Sequence, residues 1–332
     1  MLFTRIVPRI GESLTGYLIR SAAANHECGP SSILQELFGS AESPSLDEAE
    51  SLALHCRCKI DEITKLIGFC RRTTYGRQWY VNGDWVTKEY FVSPRSPAVC
   101  ARCLSEEPFI QGSWDFTLNV ACPLHECKLV QQCPACRRKI PWNRNSVYRC
   151  LCGFDLRDIS QPEATSAEIY VSRLIVSKMG FPVQLAPLDA HSYSFSSHLS
   201  TLTLDSLLKS IWFLGHILPT LRVQKTVHGR KKPNRAEATT IVTNAISCLT
   251  SWPSAYFETL QEIQSQTKNI TSAARIDRTF TSAYRYLSSE LSSKETAFLR
   301  IAFEQHIRHT WTHYTQTSRL RAFFRQYEFD FN

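Results

Sequence analysis

No run of the 332 residues approaches the roughly 20 apolar positions that a bilayer-spanning helix needs, so the sequence offers no membrane span. The opening, with a charge at Arg5 and a proline at Pro8, is broken too soon to hold a secretory apolar region. The expectation is a soluble, cytoplasmic protein with no membrane partner. There is no G-x-x-x-x-G-K-[ST], which excludes a P-loop ATPase. G-x-S-x-G and H-E-x-x-H are missing too, so neither a nucleophile elbow nor that kind of metalloprotease is indicated. Acidic residues are scattered, without a carboxylate constellation for two-metal nuclease or transposase work. The zinc deaminase pattern, H-x-E followed by P-C-x-x-C, also fails: Glu126 follows His125 directly, and Pro134 falls inside a cysteine pair.

What the sequence does have is cysteine, 13 in all, eight of them between Cys100 and Cys152. In a reducing compartment such clustering favours metal over disulfides. The order is Cys100-x-x-Cys103, Cys122-x-x-His125, Cys133-x-x-Cys136 and Cys150-x-Cys152-Gly153. A pair separated by two residues can wrap one edge of a zinc tetrahedron, and a second pair closes the shell. The simplest grouping puts Cys100, Cys103, Cys122 and His125 on one zinc ion and Cys133, Cys136, Cys150 and Cys152 on another. Cys127 competes with His125 for the fourth place in the first set. Both sets are closed, with no position left for a catalytic water, so they read as structural and the protein as a non-enzyme. Cys28, Cys70 and Cys248 sit among apolar neighbours and are expected as small core residues. Cys56 and Cys58 form a lone pair with no second pair nearby.

With 43% hydrophobic and 11% aromatic residues the chain can bury a sizeable core. The expected fold is mainly α with small zinc-ribbon β elements. It divides into an N-terminal helical, helix-turn-helix-like region (1–94), a tandem zinc-ribbon region (95–158) and a C-terminal helical domain (159–332). In the first, Leu14, Tyr17, Leu18 and Ala22 recur at helical spacing behind a cap at Glu12 or Ser13. Cys28-Gly29-Pro30 breaks that helix, and Ser31 or Ser32 caps a second one closed by Gly39. The pair suits a helix-turn-helix or a plain helical hairpin. Residues 45–68 read as a third helical segment, and the aromatics of 75–95 as strands.

The rear region carries three apolar helical stripes: Leu204 to Trp212, Ile241 to Leu249, and Phe298 to Trp311 with His306 as a packed histidine. The three regions carry net charges of −1, +3 and +6, so the rear half permits phosphate contact without requiring it. Arg230, Lys231, Lys232 and Arg235 lie in a basic loop, read either as solvated or as a contact for nucleic acid or an acidic partner. Arg319, Arg321 and Arg325, with Phe323 and Phe324, suit either base stacking or an amphipathic terminal helix.

Taken together, Pro8-Arg-Ile-Gly11-Glu12-Ser13-Leu14 with Tyr17, Leu18, Arg20 and Leu37-Phe38-Gly39, the cysteine stretch with Trp114 and Leu129, and Leu249 to Phe257 resemble the TniQ/TnsD family of transposon target-selection proteins. The resemblance implies a bacterial adaptor that recruits a TnsC-like AAA+ ATPase and so engages the transposase. Some members of that family bind a DNA attachment site. Others attach to a Cascade-type CRISPR effector with its guide RNA, and members of that kind can form homodimers. The departure is His125-Glu126, where the family often has glycine after the histidine. A stand-alone DNA-binding regulator and a direct TnsD-like site reader are the competing readings.

Overall fold

The computed structural model describes residues 1–180, 196–217, 232–266, 283 and 285–310. The chain is mainly α-helical, with small antiparallel strand pairs. It divides into two compact units, Met1–Leu188 with Arg230–Thr239, and Asp189–Gly229 with Thr240–Asn332. No described helix is long and apolar enough to cross a membrane.

The first unit opens with α1 (Leu14–Ala24). Of the two candidate caps, Ser13 takes the role, its Oγ accepting from the Gly16 N–H at 2.9 Å. Glu12 is instead fully buried and held by Arg20, whose Nε and Nη2 reach its two oxygens at 2.7 and 2.6 Å. Gly16 has a packing reason, since a Cβ there would meet the Ile110 Cβ at 2.7 Å. The helix thereby lies hard against the chain beside the metal region.

The second helix, α2 (Pro30–Phe38), starts two or three residues earlier than the serines predict. Gly29 is its cap and Pro30 its first residue, a position where proline loses no helical hydrogen bond. Ser31 is free to bind Asn143, which it does through both its N–H (3.1 Å) and its Oγ (2.7 Å). The third helical segment holds two short helices, α3 (Ala49–Cys56) and α4 (Ile60–Ile63). Arg57 separates them in the left-handed conformation at φ +57°.

The front of the aromatic stretch forms β2 (Gly76–Val81) and β3 (Asp84–Val86), which join β1 (Cys70–Thr73), just ahead of it, in a three-stranded antiparallel sheet. Glu89–Phe91, by contrast, is a short 3-10 helix and not a strand. Leu14, Tyr17, Leu18, Ile33, Leu34, Leu52, Ile63 and Phe69 form the core of this front region. A second core is built around the cysteines and includes Val99, Leu104, Ile110, Trp114, Leu129 and Ile140. It holds α5 (Ala101–Glu106) and the strand pair β4 (Ala121–Cys122) and β5 (Cys127–Lys128). Next comes α6 (Ser166–Lys178), started by a capping box between Thr165 and Glu168.

In the second unit, α7 (Ser196–Thr201) and α8 (Leu204–Ile217) precede α9 (Arg235–Thr250), whose first residues belong to the first unit. Then follow α10 (Ser254–Gln266) and a last described helix, Ala297–Thr310. The apolar stripes are core faces: Leu207, Leu208, Ile211, Trp212, Ile241, Val242, Ala245, Leu249, Leu299 and Ala302 are all buried. His306 is buried as well, stacked on Phe257 with centroids 5.8 Å apart. Trp311 and the Arg319–Arg325 segment lie outside the described residues.

Candidate metal centres

Cys100 caps α5 and Cys103 lies in its first turn, so one short helix presents both sulfurs to the same point. Cys122 ends β4, and the turn to β5 brings His125 back over it. The His125 Nδ1 stands 3.4, 3.2 and 3.6 Å from the sulfurs of Cys100, Cys103 and Cys122. The sulfurs of Cys103 and Cys122 are 3.6 Å apart. A zinc tetrahedron with Zn–S of about 2.3 Å and Zn–N of about 2.0 Å needs S···S near ~3.8 Å and S···N near ~3.5 Å. The four donors fit that ion, and all lie within 4.8 Å of one another.

The four-donor cluster takes in His125. Cys127, register partner of Cys122, stands beside it with its sulfur 3.6 Å from that of Cys100. Hydrogen bonds from Cys103, Cys122 and Cys127 hold the Cys100 thiol far below the ordinary thiol range. Gln111 adds an N–H to the Cys103 sulfur at 3.5 Å. On the far side of the imidazole, Nε2 meets the Glu106 carboxylate at 2.8 Å. Such a carboxylate fixes the ring and raises its basicity as a ligand. Sequence reading missed Glu106, although its place one turn beyond Cys103 is a usable signal. Glu106→Gln is expected to weaken zinc binding at this centre by roughly 10- to 100-fold, measured by competition with a chromogenic chelator.

The second cluster is made by two tight turns. Cys133 and Cys136 flank one, in which Arg137 takes the left-handed conformation at φ +58° and its N–H returns to the Cys133 carbonyl at 2.8 Å. Cys150 and Cys152 flank the other, where the Gly153 N–H returns to Cys150 at 2.9 Å. The Cys133–Cys152 and Cys136–Cys150 sulfur distances are 3.6 and 3.9 Å, again the edges of a zinc tetrahedron. The Arg138 backbone N–H draws the Cys136 thiol down to about 7. Between the turns, buried Arg144 folds onto its own loop and donates to the carbonyls of Pro141, Ser146 and Val147. The two centres differ in exposure: every cysteine of the first is buried, whereas Cys136 is half-buried and Cys152 exposed.

Residues 3–129 match the TniQ family model, a span that takes in all four donors of the first centre and stops before Cys133. By this match the front of the chain is similar to the TniQ domain. That associates it with transposition, in an adaptor or DNA-binding role. No curated protein matches the sequence. Within the matched span, Glu126 follows His125 directly. Glu126 sits at φ +51°, the left-handed region in which a side chain costs about 1 kcal/mol or more. Its carboxylate is engaged by Arg173 of α6 at 2.9 Å, and its carbonyl accepts from Ala164 at 2.9 Å. These contacts offset the backbone strain that glycine would avoid.

Among the described residues, the two clusters are the groups of histidine, cysteine and carboxylate placed to hold an ion, and neither includes Cys28, Cys56, Cys58, Cys70 or Cys248. Cys70 and Cys248 are buried, as expected, but Cys28 is exposed because it lies in the loop before the Gly29 cap. Of the basic-loop candidates, Arg230 and Lys231 lie outside the described residues. Arg235 opens α9 and turns inward, its Nη1 donating to the Asn119 carbonyl at 2.7 Å. Burial lowers its guanidinium to about 10. Lys232 is also drawn in, lowered to about 8 by loss of solvent while Glu89 and Asp115 pull the other way.

Proposed function

We propose that this chain is a transposon target-selection adaptor, linking a targeting module to a TnsC-like AAA+ ATPase and through it to the transposase. The observation that carries the reading is the TniQ match over residues 3–129. The two clusters fit structural zinc, with Cys100, Cys103, Cys122 and His125 on one ion and Cys133, Cys136, Cys150 and Cys152 on the other. Zinc there would cross-link short turns that have little regular structure of their own. In this reading residues 1–94, with the α1–α2 hairpin as a helix-turn-helix-like surface, face the ATPase. Residues 95–158 are a rigid spacer, and residues 159–332 meet a Cascade-type effector with guide RNA or an attachment-site DNA, as a monomer or a homodimer.

The test is co-sedimentation of the zinc-loaded protein with the host's TnsC-like ATPase, with nucleotide and duplex DNA supplied. A complex at micromolar concentrations is expected, and its absence sinks the adaptor reading. The +6 charge of residues 159–332 favours a second reading, a direct attachment-site reader. In that case the protein alone would footprint a defined duplex, well above its non-specific binding.

A further inference from the structure

The first unit contains a cavity of about 250 Å³ that the metal centres do not use, and Asp115, Lys139, Lys232, Asn234 and Arg235 are in its lining. A single water needs only about 10–15 Å³ of such space, so there is room for a small molecule. Asp115 is 1% exposed, and neither of its carboxylate oxygens has a hydrogen-bond partner. Burial pushes its carboxyl up to about 8, against the pull of Lys232. The Arg235 Nε is likewise buried and unpartnered. Folding alone gives no return for hiding these groups, because a buried polar atom left unbonded costs the full loss of its water.

The surroundings select the charge of what would satisfy them. Lys139, Lys232 and Arg235 are cationic. The N-terminus of α9, a 16-residue helix, opens at the same cavity and adds the positive end of its dipole. The one other carboxylate in the lining, Glu237, is committed to capping. Its Oε2 accepts from the Asn234 N–H at 2.8 Å, while the Asn234 Oδ1 accepts from the Glu237 N–H at 2.9 Å. An anion is therefore favoured, and against Asp115 it must share one proton between two oxygens, a proton that the raised carboxyl can itself carry. A phosphate monoester meets both demands: it brings negative charge and acceptor oxygens for the lysines and the Arg235 Nε, and a P–OH that can share a proton with Asp115.

We propose that this cavity binds a phosphate monoester, with Asp115 on its hydroxyl oxygen and Lys139, Lys232 and Arg235 on its charge. Inorganic phosphate and a nucleoside 5′-monophosphate share that chemistry. The experiment is calorimetric titration of the zinc-loaded full-length protein with each, repeated on Asp115→Asn and Lys232→Gln. Saturable binding is expected, weakened about tenfold or more in each variant, as for losing a hydrogen bond to a charged group. Circular dichroism and zinc content should stay as in the native protein, and the Tm of Asp115→Asn should be equal or higher, since an unpaired buried carboxyl is removed. Equal affinities would mean that the phosphate group alone is read, and tighter monophosphate binding would mean a nucleotide site. No heat at millimolar ligand, or native affinity in both folded variants, overturns the proposal. Neither the ATPase nor DNA enters this test, so its result stands apart from the adaptor reading.

Discussion

Treating the protein with a strong zinc chelator is expected to release metal in two phases and to melt the region around residues 98–160. The core there is assembled on the cysteines themselves, since Cys100, Cys103, Cys122, Cys133 and Cys150 are buried members of it. The regular structure they join is slight, two-residue strands and a six-residue helix. Structural zinc contributes on the order of 10 kcal/mol per site to such folds, more than the whole stability of many domains. The fast phase should come from the second centre, where Cys152 is exposed and Cys136 half-buried, and the slow phase from the first, whose three cysteines are all buried. Cys152→Ser should abolish the fast phase and leave most of the fold. Cys103→Ser should cost the cooperative transition itself. A chromogenic zinc assay run beside circular dichroism checks both, and a chelated protein with an unchanged melting curve would sink the structural role of the metal.

Glu12→Ala is expected to destabilise the protein by about 3–5 kcal/mol, the usual cost of breaking a buried ion pair. Glu12 has no exposed surface and Arg20 keeps only 17% of its side-chain exposure. The carboxylate takes both guanidinium contacts and also the Arg9 backbone N–H at 3.0 Å. Removing it strands a cation beside α1 and frees the loop that precedes Ser13. The double change Glu12→Leu with Arg20→Met should lie closer to the native protein than Glu12→Ala alone, because no charge is then left unpaired. Urea denaturation of the three proteins measures this. A loss below about 1 kcal/mol for Glu12→Ala would place the pair among surface bridges of little weight.

Both four-residue clusters were legible in the sequence because spacing alone nearly defines a closed four-donor grouping. The helical stripes were legible for a similar reason, since a period of 3.6 written in leucine and isoleucine has few other uses. What stayed hidden depends on partners distant in sequence. Glu12 reads as a cap until Arg20 is seen to hold it, and Asp115 reads as one acidic residue among many until its lack of any partner is visible. The start of α2 was misplaced because two serines outweighed Gly29-Pro30, although proline at the first helical position is the stronger sign. Lys232 and Arg235 were read as part of a basic loop, either solvated or in contact with nucleic acid or an acidic partner. Asn234 with Glu237 three residues on is a capping pattern, and it would have marked the start of α9.

The way α6 is fastened has a consequence for anyone dividing this protein into pieces. Its Ser172 Oγ accepts from the Ala121 N–H at 3.2 Å, its Glu168 pairs with Lys128 at 3.0 Å, and its Arg173 holds Glu126. Just ahead of it, Gln161 accepts from the Ala101 N–H at 2.6 Å and donates to the Lys128 carbonyl at 2.6 Å. A fragment trimmed to residues 3–129 keeps all four donors of the first centre yet discards the clamp that closes over their hairpin. The family match ends at residue 129, but these contacts tie the first centre to the chain as far as Arg173.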